Sequence, residues 1–304
     1  MKIKDVRAYT ISAALRKPWK IAGITMSEMT AGVVEVETDT GLVGYGEALT
    51  RLGPEATCEI VRSILRPVVL GADPLKIDVL WEKMFATMKS RGHWKGFMIE
   101  AISGVDIALW DLAGKVHDKP IYELLGGRHQ ARVPLYATGL DPGNLADSAR
   151  SFVDQGYRAV KVRIGFDAAR DIANVESVRR AVGDQVQVLV DANMAYDVEG
   201  AKRMADALQP YRLYWLEEPV LADDLEGYLA LHDEFPETPL AWGENGFSVD
   251  IYQRFCEAHA IDVVMPDPSR CGGLTQCVRL CETAARYRIP FSPHHYGSDI
   301  GFAA

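Results

Sequence analysis

The strongest constraint on this chain is a repeat of short apolar segments, each ending in a polar or aromatic residue. It recurs roughly every 23–30 residues, the period of a βα unit. The ends fall near Tyr136, Arg163, Asp191, Glu217, Glu244, Asp267 and His294. The stretches between them carry helical spacing: in GAKRMADALQPY, Ala201, Met204, Ala205 and Leu208 share one face. Alternating strands and helices predict an α/β fold, a parallel sheet of the (β/α)8 barrel type. Seven strands are counted where a closed barrel needs eight, so the chain is expected to stop after strand seven, C-terminally incomplete.

The first third reads differently. Residues 2–10 alternate, and AGVVEVETDTGLVGYGEA carries a hairpin signal at Asp39-Thr40-Gly41 between β-branched runs. Helical stretches follow near 55–70, 75–89 and 98–117, and the last has a broad apolar face from Ile99 to Ala113. Paired glycines at Gly126-Gly127 stop the helices. The expectation is an N-terminal α+β capping domain over residues 1–125 and a barrel catalytic domain over residues 126–304.

With 304 residues, 48% of them apolar, the chain can bury a core without disulfides or a structural metal. A formal charge of −9 repels phosphate backbones, which argues against nucleic acid as a partner. No apolar run approaches the roughly 20 residues of a membrane-spanning helix. MKIKDVRAYT lacks the features of a signal peptide, so a cytoplasmic location is expected. Cys58, Cys256, Cys271, Cys277 and Cys281 are scattered, with no C-x-x-C pair, and are expected to be reduced thiols filling core space.

Polar residues stand where strands should be apolar. In Ala159-Val160-Lys161-Val162-Arg163-Ile164 the two cations share one face of the strand. The outward face of a barrel strand packs on helices, so Lys161 and Arg163 point inward. Two inward cations need anions. Asp191, Glu217 and Glu244 arrive at the ends of the next three strands. Three carboxylates gathered at one end would repel, and a hard divalent cation relieves that; an all-oxygen shell favours Mg²⁺ over zinc. A carboxylate after a strand can instead cap the next helix, but three on consecutive strands make that coincidence poor. Lys161 and Arg163 can also be read as structural partners of these acids. Glu217 shares parity with Trp215 and is assigned to the metal, leaving Glu218 a supporting role. Asp267 and His294, on neighbouring strand ends, can form a dyad in which the carboxylate fixes the imidazole tautomer.

These residues in this order resemble the mandelate racemase and muconate-lactonising branch of the enolase superfamily. The resemblance extends to Gly44-Tyr45-Gly46-Glu47 and to Ser103-Gly104-Val105-Asp106-Ile107-Ala108-Leu109-Trp110-Asp111. It implies magnesium on Asp191, Glu217 and Glu244, Lys161 against a substrate carboxylate, Asp267 and His294 as the dyad on one face, and Asn193 near the substrate. Pro266-Asp267-Pro268-Ser269-Arg270-Cys271-Gly272-Gly273 is similar to the acid-sugar dehydratases of that branch. Many relatives carry a second lysine where this chain has Arg163, whose guanidinium stays protonated, so a second base is in doubt.

The expected activity is removal of the proton beside a carboxylate, followed by dehydration of an aldonate or aldarate to a 2-keto-3-deoxy acid. A racemase, epimerase or lactone cycloisomerase is the alternative. The capping domain is expected to close over the barrel mouth and choose the substrate. Its candidate contacts are an early loop carrying Lys17, Trp19 and Lys20, then Arg51, then Arg91-Gly92-His93-Trp94-Lys95; each can equally be solvated surface. The expected partners are a small-molecule carboxylate and further copies of the chain in a homo-oligomer. A Schiff-base aldolase using Lys161 fits poorly, because it has no use for three carboxylates.

Overall fold

The computed structural model describes residues 1–21, 24–49, 51–127, 130 and 132–304. Its N-terminal part opens with an antiparallel sheet of β1 (Ile3–Ile21), β2 (Ile24–Thr38) and β3 (Val43–Ala48), in that order. The β2–β3 turn falls at Asp39-Thr40-Gly41, where Gly41 takes φ +85 and its N–H donates to Thr38 O at 3.1 Å. β1 continues through Lys17-Pro18-Trp19-Lys20, the segment expected to be a loop. Its pairing slips between Ala14 and Trp19, around Pro18, which has no N–H for the ladder, and resumes with Trp19 opposite Met26. Trp19 and Lys20 are therefore strand residues by backbone, and their side chains lie outside the described residues.

Helices α1 (Pro54–Ile60), α2 (Arg66–Val69), α3 (Ile77–Lys89), α4 (Phe97–His117) and α5 (Ile121–Leu124) follow, with a π-helical turn at Val61–Leu65 joining the first two. Ile99, Ile102, Val105, Leu109 and Leu112 of α4 pack in one core with Val34, Val36, Leu80 and Met84. Glycines let α4 lie directly on the sheet. A Cβ on Gly46 would run into Gly104 O, and one on Gly104 would sit 2.7 Å from Val34 Cγ2.

The C-terminal part alternates helix and strand: α6 (Leu145–Asp154), β4 (Ala159–Arg163), α7 (Ala168–Val182), β5 (Gln187–Asp191), α8 (Val198–Leu208), β6 (Trp215–Glu217), α9 (Leu225–Glu234), β7 (Leu240–Trp242), α10 (Val249–Glu257), β8 (Val263–Val264), α11 (Gly273–Tyr287) and α12 (Asp299–Ala303). β4 to β8 form a parallel sheet in sequence order. Single parallel bridges, Ala137 with Val160 and Val264 with Phe291, extend it at each edge. Among the described residues the barrel thus pairs seven strand positions. The last three strands end earlier than expected, so Glu244, Asp267 and His294 stand in loops just beyond. Gly243, at φ +136, and Pro266, without an N–H, interrupt the ladders there.

Period-two alternation sorts the side chains. Val160, Val162, Val188, Val190, Leu216, Trp242 and Val264 face outward into a core shared with Val175, Met204, Tyr228 and Phe255. Trp242 stacks on Phe255 with ring centroids 4.2 Å apart. Ala159, Leu189, Trp215, Ala241, Val263 and Met265 form a separate apolar cluster on the inner face. Lys161, Asp191 and Glu217 continue that inner face at its C-terminal end.

The N-terminal part is fastened to one side of the barrel, on the loop after Asp267 and the start of α11. Trp81 Nε1 donates to Gly272 O at 2.7 Å, and Gly272 N donates to Ser103 Oγ at 2.8 Å. Thr275 N and Oγ1 donate to the buried Asp106 carboxyl at 2.9 and 2.6 Å. Arg270 Nε donates to Glu100 at 2.9 Å. No helix among the described residues is long and apolar enough to cross a membrane. The cysteines are free; Cys58, Cys256 and Cys271 are buried as core thiols, whereas Cys281 is exposed, contrary to expectation.

Candidate active site

The parallel strands deliver their polar residues to one end. Lys161, on β4, is buried with Nζ 2.8 Å from Glu217 Oε1 and 3.3 Å from Asp191 Oδ2. Its ammonium lies 5.3 Å from the centre of the Tyr136 ring. Burial opposes its charge, but Glu217 and Asp191 outweigh burial and hold its pKa above the ordinary lysine value. Trp215 Nε1 donates to Glu217 Oε2 at 3.1 Å. Burial and the neighbouring Asp191 nevertheless push Glu217 up to about 7.

The chain turns sharply after these strands. Asn193 and Glu218 adopt φ +45 and +39, a left-handed backbone that side chains larger than glycine rarely take. The turn at Glu218 aims its buried carboxyl sideways, where it accepts from Gly243 N at 3.3 Å, Asn245 N at 3.1 Å and Asn245 Nδ2. Glu218 thereby anchors the loop that carries Glu244. Arg163 Nη1 donates to Asn193 Oδ1 at 3.1 Å, and Asn193 Nδ2 reaches Glu244 Oε1 at 3.4 Å.

Glu244 sits at the centre. Arg51 Nη2 lies 2.6 Å from its Oε1, and His294 Nε2 lies 2.7 Å from its Oε2. Burial alone would raise its pKa, but His294 and Arg51 hold it well below the usual carboxylate range. The other imidazole nitrogen, Nδ1, is 2.8 Å from Asp267 Oδ2. Burial disfavours the imidazolium, but Glu244 and Asp267 outweigh it and raise His294 to about 9. Asp267 is held in turn, with Ser269 N donating to its Oδ1 at 2.8 Å. His294 N also donates to Pro266 O at 3.0 Å, joining the two dyad loops by backbone.

Asn193 N donates to Asp191 Oδ1 at 3.0 Å, so Lys161, Arg163, Asp191, Asn193, Glu217, Glu244, Asp267 and His294 form one connected cluster. Sequence reasoning paired His294 with Asp267 alone, yet its other nitrogen lies on Glu244. It named Arg51 without its partner. It gave no role to Tyr296, whose ring stacks under Arg51 at 5.3 Å and whose hydroxyl lies 3.1 Å from Met26 Sδ. The Arg91–Lys95 stretch is exposed, and Lys95 approaches Asp223 at only 3.9 Å. His295 packs against Phe302.

The acids suit a hard cation. Asp191 Oδ2 is buried and accepts no hydrogen bond, and the donor set of Asp191, Glu217 and Glu244 is oxygen alone. Among the described residues these acids are not converged as a finished cage. Lys161 stands against Asp191 and Glu217, and Arg51 and His294 hold Glu244. For all three carboxylates to meet one ion, these side chains must swing aside.

The profile described as "Mandelate racemase / muconate lactonizing enzyme, N-terminal domain" matches residues 4–126, and "Enolase C-terminal domain-like" matches residues 144–304. The chain is 30% identical to D-galactarolactone cycloisomerase of Agrobacterium fabrum, covering 100% of this chain and 81% of the relative. It is 33% identical to arabinonate dehydratase of Saccharolobus solfataricus, covering 98% and 82%. The crystal structure of L-talarate dehydratase from Polaromonas sp. JS666, complexed with Mg and L-glucarate, superposes with a TM-score of 0.85 at 32% identity, covering 97% of this chain and 81% of that one.

Proposed function

This chain belongs to the mandelate racemase and muconate-lactonising branch of the enolase superfamily, and we propose that it dehydrates a sugar acid to a 2-keto-3-deoxy acid. The observation that carries the reading is the position of His294. Its Nδ1 is fixed by Asp267, while Nε2 faces the carboxylate cluster. That orientation leaves Nε2 as the atom that meets a substrate.

Asp191, Glu217 and Glu244 would hold magnesium. Bound there, it would supply fixed positive charge beside the substrate carboxylate, where negative charge develops. Lys161 would leave the acids and neutralise the same carboxylate. With Glu244 drawn away, the main charge that holds the imidazolium would be lost, and the neutral His294 Nε2 takes the proton from C2. The C–H electron pair moves into the carboxylate, giving an enediolate. That pair then forms the C2–C3 double bond as the C3 hydroxyl departs. The hydroxyl takes the proton from His294 and leaves as water, on the same face. The resulting enol tautomerises to the 2-keto-3-deoxy acid.

Arg163 supports dehydration over racemisation. A racemase needs a base on each face, and a guanidinium that donates to Asn193 is a poor base. A lactone cycloisomerase shares the first step and expels a ring oxygen instead, and the similarity to the galactarolactone enzyme favours it as the second reading. The test is a panel of aldonic and aldaric acids and their lactones, with magnesium present. Formation of a 2-keto acid with release of water supports the dehydratase. Ring opening without loss of water supports the cycloisomerase. Inversion at C2 with no other product contradicts both.

A further inference from the structure

The loop that follows His294 is held by a carboxylate from the other end of the chain. Glu47, on β3, is fully buried. Its Oε1 accepts from Ser298 N at 2.9 Å, and its Oε2 accepts from Ser298 Oγ at 2.7 Å and Gly301 N at 2.9 Å. Buried carboxylates are expensive unless their oxygens are satisfied. Here the donors come almost entirely from the first turn of α12, four residues after His294.

The loop is shaped to admit this carboxylate. A Cβ on Gly297 would run into Glu47 Oε1, and a Cβ on Gly301 would sit 2.9 Å from Oε2. The same strand end reaches the other half of the dyad, since Leu49 N donates to Ser269 O at 3.0 Å. Ser269 N in turn donates to Asp267. Glu47, on β3, and Leu49, one residue past its end, therefore grip both loops that meet at the His294–Asp267 hydrogen bond.

We propose that Glu47 is a positioning residue for His294: it fixes the Tyr296–Gly301 turn and so sets the distance and angle of the imidazole against Asp267. The part of this inference that concerns turnover rests on the dehydratase reading; the part that concerns geometry does not.

The experiment compares the intact wild-type chain, magnesium present, with Glu47→Gln and Ser298→Ala. Glu47→Gln replaces one acceptor by a donor facing other donors. Ser298→Ala removes a single donor and is the milder variant should Glu47→Gln fold poorly. Ring nitrogen and proton resonances of His294 are followed by NMR, assigned with His294→Asn. Both variants should move or broaden those resonances. Glu47→Gln should lower kcat roughly 10- to 100-fold, the scale of a small misplacement of a reacting group, with KM changed less than about twofold. Unchanged His294 resonances in folded variants, whatever happens to Tm, would overturn the proposal and leave Glu47 a docking contact only. Shifted resonances in both variants, with no sugar acid turned over by the wild type, would uphold the positioning role and remove the dehydratase reading.

Discussion

His294 Nδ1 lies 2.8 Å from Asp267 Oδ2, while the opposite ring nitrogen faces Glu244 at 2.7 Å. The first contact sets the tautomer and the second marks where a substrate proton would arrive. His294→Asn is expected to lower kcat by about 10²–10⁴-fold, the usual contribution of a general base. Asp267→Asn should lower it too, by a smaller factor, because the imidazole remains but its tautomer is released. Steady-state kinetics on the two variants check this. Near-normal turnover by His294→Asn contradicts the assignment.

Lys161, Arg51 and His294 currently neutralise the acids that would hold magnesium. Exhaustive chelation is expected to abolish turnover, and added magnesium to restore it. Glu217→Gln should lose bound metal and activity together, as read by metal analysis of the purified protein. Full activity after chelation contradicts the metal assignment.

Gly46 is where α4 presses on β3. A Cβ there would meet Gly104 O and lie 2.6 Å from Ala108 N, both backbone atoms that cannot rotate away. Gly46→Ala is expected to destabilise by about 1–3 kcal/mol, the usual range for overpacking. Gly143→Ala gives a control for the added methyl, since a Cβ there would meet only Asp141 Oδ1 at 3.5 Å, an ordinary contact. Thermal melts should show Gly46→Ala well below wild type. An unchanged Tm would mean that the helix can slide off the sheet freely.

Much of the site was legible because strand parity is a local property. Lys161, Arg163, Asp191 and Glu217 alternate with valines and leucines, so the sequence alone says which face each takes. The βα period likewise carries the order of the parallel sheet. Contacts between distant segments were not legible. Nothing local to Glu47 points to Ser298, and nothing local to Arg51 points to Glu244. The early loop was misread because Lys17 and Pro18 break the alternation, whereas the strand is restored by pairing with β2. The role of Glu218 depended on a left-handed turn, which a glutamate does not announce.

The most direct test of the central claim, a single base acting on one face, is deuterium exchange. A 2-hydroxy acid that cannot dehydrate is incubated in D₂O with the magnesium-loaded protein, in both configurations at C2, and exchange of the C2 proton is followed by NMR. The expected result is exchange in one enantiomer only, lost in His294→Asn. Comparable exchange in both enantiomers would contradict it, showing that Arg163 or Lys161 serves as a second base.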